Sequence, residues 1–497
     1  MKRLFYCVSK PLIVETVTAP TTAELRRRRD EVTEADLVEL RLDSVRDPNV
    51  AGALAGRRRP VIVTCRPAWE GGHFTGGEDD RRRLLTEAFT LGAEYIDVEW
   101  RAQFDDLVSR AGGRRIVLSS HDFDTMPPDL VSRAHAMRAT GAEVVKLAVR
   151  TRRLRDCVPL LDLGSHFGRQ DGLVLIGIGE HGLATRVLAA RFKSIWMYGG
   201  DQVEAGQVTT ASLRDEYGFR SISESTGVYG LVGRPVTHSV SPAMFNAAFR
   251  TARLDAVYLP FPAIDADDFV TFAKAIGIKG ASVTIPFKMA LFETVDEANS
   301  VARRIGAINT IRASDGRWLG GNTDAIGFLS ALHHRVGLTG RRVAIMGAGG
   351  AARSVAIALG SSSVDVRIHA RDRRRAEEAA MLTSATAGDW PPPPGSWDLL
   401  VNCTPIGMYP RVEETPLPAE YLTGRCVYDL VYNPPETRLL REAARAGCDT
   451  IGGLDMLVAQ AQEQFHWWTG ARPAAGIMRE AALKRLAEFI RDEDHVV

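Results

Sequence analysis

Lys146 lies inside GAEVVKLAVR (141–150), which otherwise reads as a short buried strand. The choice of lysine stands out because only eight of the 62 basic residues in the chain are lysine. Arginine would supply charge at this position but stays protonated at any ordinary pH. A desolvated lysine can lose its proton and attack a carbonyl to form an imine. The plainer alternative is a cation that snorkels from a strand end. His121, closing RIVLSSH, can move protons near neutral pH or serve as a hydrogen-bonded structural histidine. Further polar groups fall within or just after β-type runs. Glu39 and Arg41 are in LVELRL, Arg66 ends VIVTCR, and Glu70 is in the WEGGHFTGGE that follows. Arg186 comes after LVLIGIG and Gln207 after SIWMYG.

A second set of such residues lies farther along. Lys288 follows VTIPF and Asp324 ends GNTD. Reducing a ketone needs a proton donor for the oxygen that gains charge as hydride arrives. A lysine beside a carboxylate can give that proton and be oriented for it; a surface ion pair is the simpler reading of either residue alone. Ser239, Ser241, Thr284, Asn309 and Gln460 are small or amide groups suited to binding hydroxyls, and each alone could be a turn or cap residue. Gln464 is one helical turn beyond Gln460.

Eight β-type runs position the first set: 12–17, 37–42, 61–66, 95–100, 115–120, 144–149, 173–179 and 194–199. Helix-forming segments such as TAELRRRRDEV lie between them. This alternation predicts a (β/α)8 barrel over residues 1–222, whose reacting groups gather at the carboxyl ends of the strands. An open doubly wound sheet is the alternative. The run RRRR (26–29) is followed by acids and reads as a solvated helix face.

The second set belongs to a two-lobed α/β region. One lobe spans 227–335 and is completed by about 470–497; the other spans 336–469. RRVAIMGAGGAARSVAIAL (341–359) is a strand, a Gly-rich turn and an apolar helix. Gly347, Ala348, Gly349, Gly350 and Ala351 would let the backbone approach a dinucleotide pyrophosphate at the helix N-terminus. After the next strand come Arg371, Asp372, Arg373, Arg374 and Arg375. An arginine cluster, here Arg371 helped by Arg375, suits the 2′-phosphate of NADP; Asp372 leaves NAD open, and a solvated basic turn is the bland reading.

Composition limits the classes. A net charge of +1, with 45% hydrophobic and 25% charged residues, fits a globular protein and gives no case for a nucleic-acid or membrane surface. No apolar run reaches the roughly 18 residues of a membrane span. The six cysteines lack metal-ligand or disulfide spacing. They read as reduced thiols of a cytoplasmic protein with no metal.

ADLVELRLD, TCRPAWEGG, SSHDF, EVVKLAV and the late GQ resemble type I 3-dehydroquinate dehydratase over about residues 11–215. The resemblance implies that Lys146 forms the Schiff base and His121 is the general acid/base, with Glu70 supporting it. It implies that Glu39, Arg41, Arg66, Arg186 and Gln207 bind substrate. One departure is that Val203 in DQVEAGQ falls where the family has a serine. From HSVSP to GGLDMLVAQAQEQF, seven motifs in order resemble shikimate dehydrogenase over about 228–490. This resemblance implies Lys288 and Asp324 as the catalytic pair. Ser239, Ser241, Thr284, Asn309, Gln460 and Gln464 would meet the substrate, and Asn402 and Thr404 the NADP nucleotide. Together the halves imply two consecutive reactions on small molecules, with no nucleic acid, membrane or obligate protein partner. The competing expectation is an NAD-dependent quinate/shikimate dehydrogenase whose barrel is a binding or structural module.

Overall fold

Each of the eight β-type runs forms a strand: β1 (Leu12–Val17), β2 (Leu37–Arg41), β3 (Val61–Thr64), β4 (Tyr95–Glu99), β5 (Ile116–Asp122), β6 (Val144–Arg150), β7 (Leu173–Ile178) and β8 (Trp196–Gly199). One helix follows each of the first seven: α1 (Thr22–Glu31), α2 (Val50–Leu54), α3 (Glu78–Thr90), α4 (Asp105–Arg110), α5 (Leu130–Ala139), α6 (Val158–Phe167) and α7 (Leu183–Val187). This is a computed structural model, and it describes residues 10–200, 208–236, 238–332, 337–360 and 363–494, with side chains to 489.

The strands pair in the order β7-β6-β5-β4-β3-β2-β1-β8, neighbours running parallel. A parallel bridge between Leu173 and Ser194, with Ile195 N donating to Leu173 O at 2.8 Å, brings the two ends of the sheet together. The result is the expected barrel, not an open sheet. Its strands alternate faces with period 2. On β6, Val145, Leu147 and Val149 are fully buried, and burial of each contributes about 1.5–3 kcal/mol. Lys146 and Ala148, between them, line a cavity. The RRRR face is less solvated than its composition implies. Arg29 is buried and donates to the carbonyls of Ala53 and Ala55, while Arg26, Arg27 and Arg28 are exposed.

The chain divides into two compact units, residues 1–227 with 255–277, and residues 228–254 with 278–497. The next elements are β9 (Gly227–Gly233), α8 (Ser241–Thr251), β10 (Ala256–Pro262), α9 (Ala266–Ile276), β11 (Gly280–Val283), β12 (Glu297–Ala298), α10 (Ser300–Ile305), β13 (Thr310–Ser314) and β14 (Arg317–Gly321). In the second unit β11 pairs parallel with β9 and antiparallel with β13, which forms a hairpin with β14. Helix α11 (Asp324–Leu332) leads to the second sheet of this unit.

That sheet contains β15 (Arg342–Met346), β16 (Asp365–His369), β17 (Thr386–Gly388), β18 (Leu399–Asn402), β19 (Cys426–Asp429) and β20 (Asp449–Ile451). Helices α12 (Gly350–Leu359), α13 (Arg373–Met381) and α14 (Arg438–Arg445) lie between strands, and α15 (Gly453–Thr469) and α16 (Ile477–Asp494) end the described chain. All six strands are parallel, in the order β17-β16-β15-β18-β19-β20. This is the doubly wound dinucleotide-binding order, whose ligand crevice opens where the order reverses, between β15 and β18. Its core joins Val343, Ile345, Val355, Ile368, Leu399 and Val401. Among the described residues no helix is long and apolar enough to cross a membrane.

Two candidate active sites

Residues two apart on the barrel strands converge on one cavity of about 160 Å³. Thr16, Glu39, Arg41, Arg66, Glu70, His121, Lys146, Arg186 and Tyr198 all line it. Lys146 is 5% exposed. Its Nζ donates to Asp97 Oδ2 at 3.1 Å, lies 3.8 Å from Glu39, and sits 4.2 Å from the centre of the Tyr198 ring. Glu39 is fixed from both sides by the hydroxyls of Thr16 and Thr64, each at 2.8 Å.

Arg66 is clamped by carboxylates. It donates to Glu99 at 2.8 Å, to Asp97 at 3.1 Å and to Ser119 at 2.8 Å. Arg81, also buried, donates to the other oxygen of Glu99. Breaking such a buried pair leaves an uncompensated charge and typically costs about 3–5 kcal/mol. Arg41 makes a bidentate contact with Asp43, at 2.9 and 2.8 Å, and Asp43 also accepts from His73 N. The loop that carries Glu70 is thereby tied to the end of β2.

His121 and Glu70 form a pair. Glu70 Oε1 accepts from the His121 backbone N at 2.9 Å and lies 3.0 Å from Nδ1. Burial, aided by the nearby Arg66 and Lys146 cations, pushes His121 well below its usual 6.5, so the ring is neutral. Burial also pushes Glu70 up to about 7, against the pull of Arg66. With Glu70 ionised, Nδ1–H donates to it, and Nε2 keeps a lone pair.

The second site lies wholly within the second unit. Lys288 Nζ donates to Asp324 Oδ2 at 2.5 Å. Asn309 Nδ2 donates to Asp324 Oδ1 at 2.8 Å and to Gln460 Oε1 at 3.2 Å, and Asn309 Oδ1 accepts from Thr323 N. Asn322 Oδ1 accepts from Asp324 N, which fixes the start of α11. Gln464, on the same face of α15 as Gln460, uses both ends of its amide inside the protein: it donates to Asn309 O and accepts from Ser282. Ser239 Oγ accepts from Ser241 N and bonds the Tyr432 hydroxyl. Thr284 packs its methyl against Gly233, where a Cβ would come within 2.2 Å of it.

At the nucleotide turn, Gly347 has φ +108°, a backbone that disfavours any side chain. Gly349 precedes α12 with open space where a Cβ would point. The stem of Lys288 lies 3.3 Å from the Cβ position of Gly350, so the amine stands at the mouth of this turn. Asn402 is engaged internally: it donates to Asp429 and accepts from Thr404, whose position it sets. Arg373 and Arg374 are paired with Glu377 and Glu378, and Arg375 lies 3.9 Å from Asp372. Arg371 is exposed, with no acidic partner among the described residues.

Residues 13–224 match the family model of type I 3-dehydroquinase. Residues 231–311 match the shikimate dehydrogenase substrate binding domain, and 453–483 the shikimate 5′-dehydrogenase C-terminal domain. Over 476 residues the chain is 36% identical to the chloroplastic bifunctional 3-dehydroquinate dehydratase/shikimate dehydrogenase of Arabidopsis thaliana, covering 88% of this chain and 78% of that one. The chain belongs to this bifunctional family. It is also 43% identical over 275 residues to the NADP(+) shikimate dehydrogenase of Moorella thermoacetica, covering 52% of this chain and 92% of that one. A crystal structure of a shikimate dehydrogenase in complex with NADP+ aligns at 37% identity and a TM-score of 0.50, covering 53% of this chain and 97% of that one.

For a bifunctional dehydratase/dehydrogenase, the structure brings together Lys146, His121, Glu70, Glu39, Arg41, Arg66 and Arg186 at one cavity. It likewise brings Lys288, Asp324, Asn309 and Gln460 into one hydrogen-bonded group. Gln207 and Val203 lie outside the described residues. Asp97, Glu99 and Tyr198 in the dehydratase half, and Asn322 and Asp429 in the dehydrogenase half, were not singled out from the sequence. A signal was present for the first two: YIDVE places two carboxylates at i and i+2 in a strand otherwise apolar enough to be buried.

Proposed function

We propose that this chain removes water from 3-dehydroquinate in the barrel and reduces the product, 3-dehydroshikimate, to shikimate with NADPH in the second unit. The observation that carries this reading is the convergence of a buried lysine, a histidine paired with Glu70 and three arginines on one cavity. The Lys146 amine adds to the substrate ketone, and the ketone oxygen leaves as water, giving a protonated imine. His121 Nε2 then takes the proton from the adjacent carbon, and the electrons left there flow toward the imine nitrogen. The neighbouring hydroxyl departs as water on receiving that proton from His121. A water then adds to the imine carbon, breaking its bond to nitrogen to release 3-dehydroshikimate and the free Lys146 amine. Glu70 holds the ring in the required tautomer, and Glu39, Arg41, Arg66, Arg186 and Gln207 bind the carboxylate and hydroxyls.

In the second unit NADPH supplies hydride when bound. The bare Gly347–Gly350 turn and Arg371, which has no acidic partner among the described residues, fit its pyrophosphate and 2′-phosphate. Gly347, Ala348, Gly349, Gly350, Ala351, Arg371 and Arg375 would hold it, with Asn402 and Thr404 at the rim. Lys288 gives a proton to the ketone oxygen, and Asp324 orients the ammonium and binds a neighbouring hydroxyl. Ser239, Ser241, Thr284, Asn309, Gln460 and Gln464 complete the substrate contacts or, for Gln464, steady Asn309.

On this reading residues 1–222 are the dehydratase, 227–335 with about 470–497 the substrate lobe, and 336–469 the NADP lobe. Both sites draw on one chain, so no protein partner is required. On the same reading the chain works in the cytoplasm, where thiols such as the buried Cys65, Cys157, Cys426 and Cys448 stay reduced. Borohydride added with 3-dehydroquinate should trap a covalent adduct on Lys146, read by peptide mass spectrometry. An intact, unmodified Lys146 would count against the dehydratase reading.

A further inference from the structure

The Lys146 amine belongs to a layer of four side chains from alternate strands of the barrel. Glu39 comes from β2, Asp97 from β4, Lys146 from β6 and Tyr198 from β8. Such four-residue layers fill barrels of this kind, usually with branched apolar side chains. Here three of the four present negative charge or a π-face to the fourth. Asp97 Oδ2 accepts from Nζ at 3.1 Å, Glu39 lies at 3.8 Å, and the Tyr198 ring centre lies 4.2 Å away. The four are between fully buried and 5% exposed, so water does little to screen them.

We propose that Asp97 and Tyr198 form a cage that holds positive charge on the Lys146 nitrogen, and that both are catalytic residues because they stabilise the protonated imine. This rests on the reading of Lys146 as the imine-forming residue. When the amine adds to the ketone, a nitrogen–carbon bond forms, the carbon–oxygen bond breaks and the oxygen leaves as water. The cation then resides on the same nitrogen. It must persist there, because it draws the electrons left when the adjacent carbon loses its proton.

Asp97 suits this role. Burial raises its carboxyl, but the Arg66 and Lys146 cations outweigh burial and hold it below the usual carboxylate range, so it stays ionised. Ser119 donates to Oδ1 at 2.5 Å, while Arg66 and Lys146 share Oδ2. Glu39 differs, since both its oxygens are taken by threonine hydroxyls and none bonds the amine. Burial, with Glu39 and Asp97 nearby, keeps the Tyr198 phenol protonated, so the ring acts as a neutral face.

The test uses the full chain with 3-dehydroquinate and borohydride, scoring trapped adduct and dehydration kcat and KM. Circular dichroism and thermal melts report that each variant barrel is folded, and dehydroshikimate reduction by the same molecules reports the second unit. Tyr198→Phe, which keeps the ring, should stay within about threefold of wild type. Tyr198→Leu should lower trapping and kcat by roughly tenfold or more with little change in KM. Asp97→Asn should lower them by about a hundredfold or more. If Asp97→Asn fails to fold, the Tyr198 pair decides. Wild-type trapping and kcat in Tyr198→Leu, or equal losses in Tyr198→Phe and Tyr198→Leu, would overturn the cage. A wild-type chain that forms no adduct would instead overturn the imine reading beneath it.

Discussion

Both sites set a lysine against a carboxylate, but they are built of different materials. In the barrel Lys146 sits among Asp97, Glu39, Arg66, Glu99 and Arg81, all buried charges. Arg81 comes from α3 and the others from strands or the loop just beyond one. In the second unit a single pair, Lys288 and Asp324, is held by neutral amides of Asn309 and Asn322, from loops and the start of α11. The dense site can perturb protonation strongly, as His121 and Glu70 demonstrate, but each charge depends on its neighbours. The sparse site fixes the geometry of its one ion pair with neutral amide hydrogen bonds. A substitution in the barrel should therefore alter several groups at once, whereas one in the dehydrogenase should stay local.

The largest effect is expected at Lys146. Lys146→Arg keeps the charge but cannot form an imine, and dehydration should fall by more than about 10⁴-fold. Reduction of 3-dehydroshikimate should continue at the wild-type rate. Loss of both activities would show that the two sites are not separable. Next is Lys288→Ala, which should lower reductase kcat by roughly 10²–10⁴-fold, with a smaller change in KM and intact NADPH binding, because proton donation matters in the transition state. A change confined to KM would make Lys288 a binding residue.

Glu70→Gln probes the coupling of the charged site. Wild-type dehydration should decline as pH falls through about 7, where Glu70 gains a proton and no longer orients His121 as an anion. Glu70→Gln should be about tenfold or more slower and lack that limb. Stability should move the other way. Folding raises the Glu70 carboxyl from 4.5 to about 7, so the folded state resists ionisation. The resulting penalty is absent below pH 4.5, grows as pH rises and is complete above 7. Glu70→Gln should then be more stable than wild type at pH 8 by up to about 3 kcal/mol, and equal to it near pH 4. Denaturant melts at the two pH values give the sign. The smallest effect is expected at Arg371, where Arg371→Ala should weaken NADPH about tenfold more than NADH, because only NADPH carries the 2′-phosphate. Equal weakening would remove Arg371 from that role.

Much of this arrangement was legible in the sequence because strands expose their pattern. Short apolar runs alternating with helix-forming segments gave the eight strands and gathered Glu39, Arg41 and Lys146 toward the carboxyl ends of one barrel. The Gly-rich turn between a strand and an apolar helix gave the nucleotide site. What escaped notice had ordinary local explanations. Tyr198 in SIWMYG reads as strand packing, and its meaning comes only from lying opposite Lys146 across the barrel. Asp97 and Glu99 were visible as alternating carboxylates, but their partners Arg66 and Arg81 come from other parts of the chain. The internal use of Asn402 and Gln464 could not be read at all, because an amide's partners are set by tertiary packing. Arg29 looked like part of a solvated run, until the fold set it against the last carbonyls of α2.

The central claim is that one chain performs two consecutive steps. The most direct measurement supplies the purified chain with 3-dehydroquinate and NADPH, follows NADPH oxidation and identifies the product. The account predicts one NADPH oxidised per 3-dehydroquinate consumed, with shikimate as the final product. Oxidation of NADPH with 3-dehydroshikimate but not with 3-dehydroquinate would contradict it.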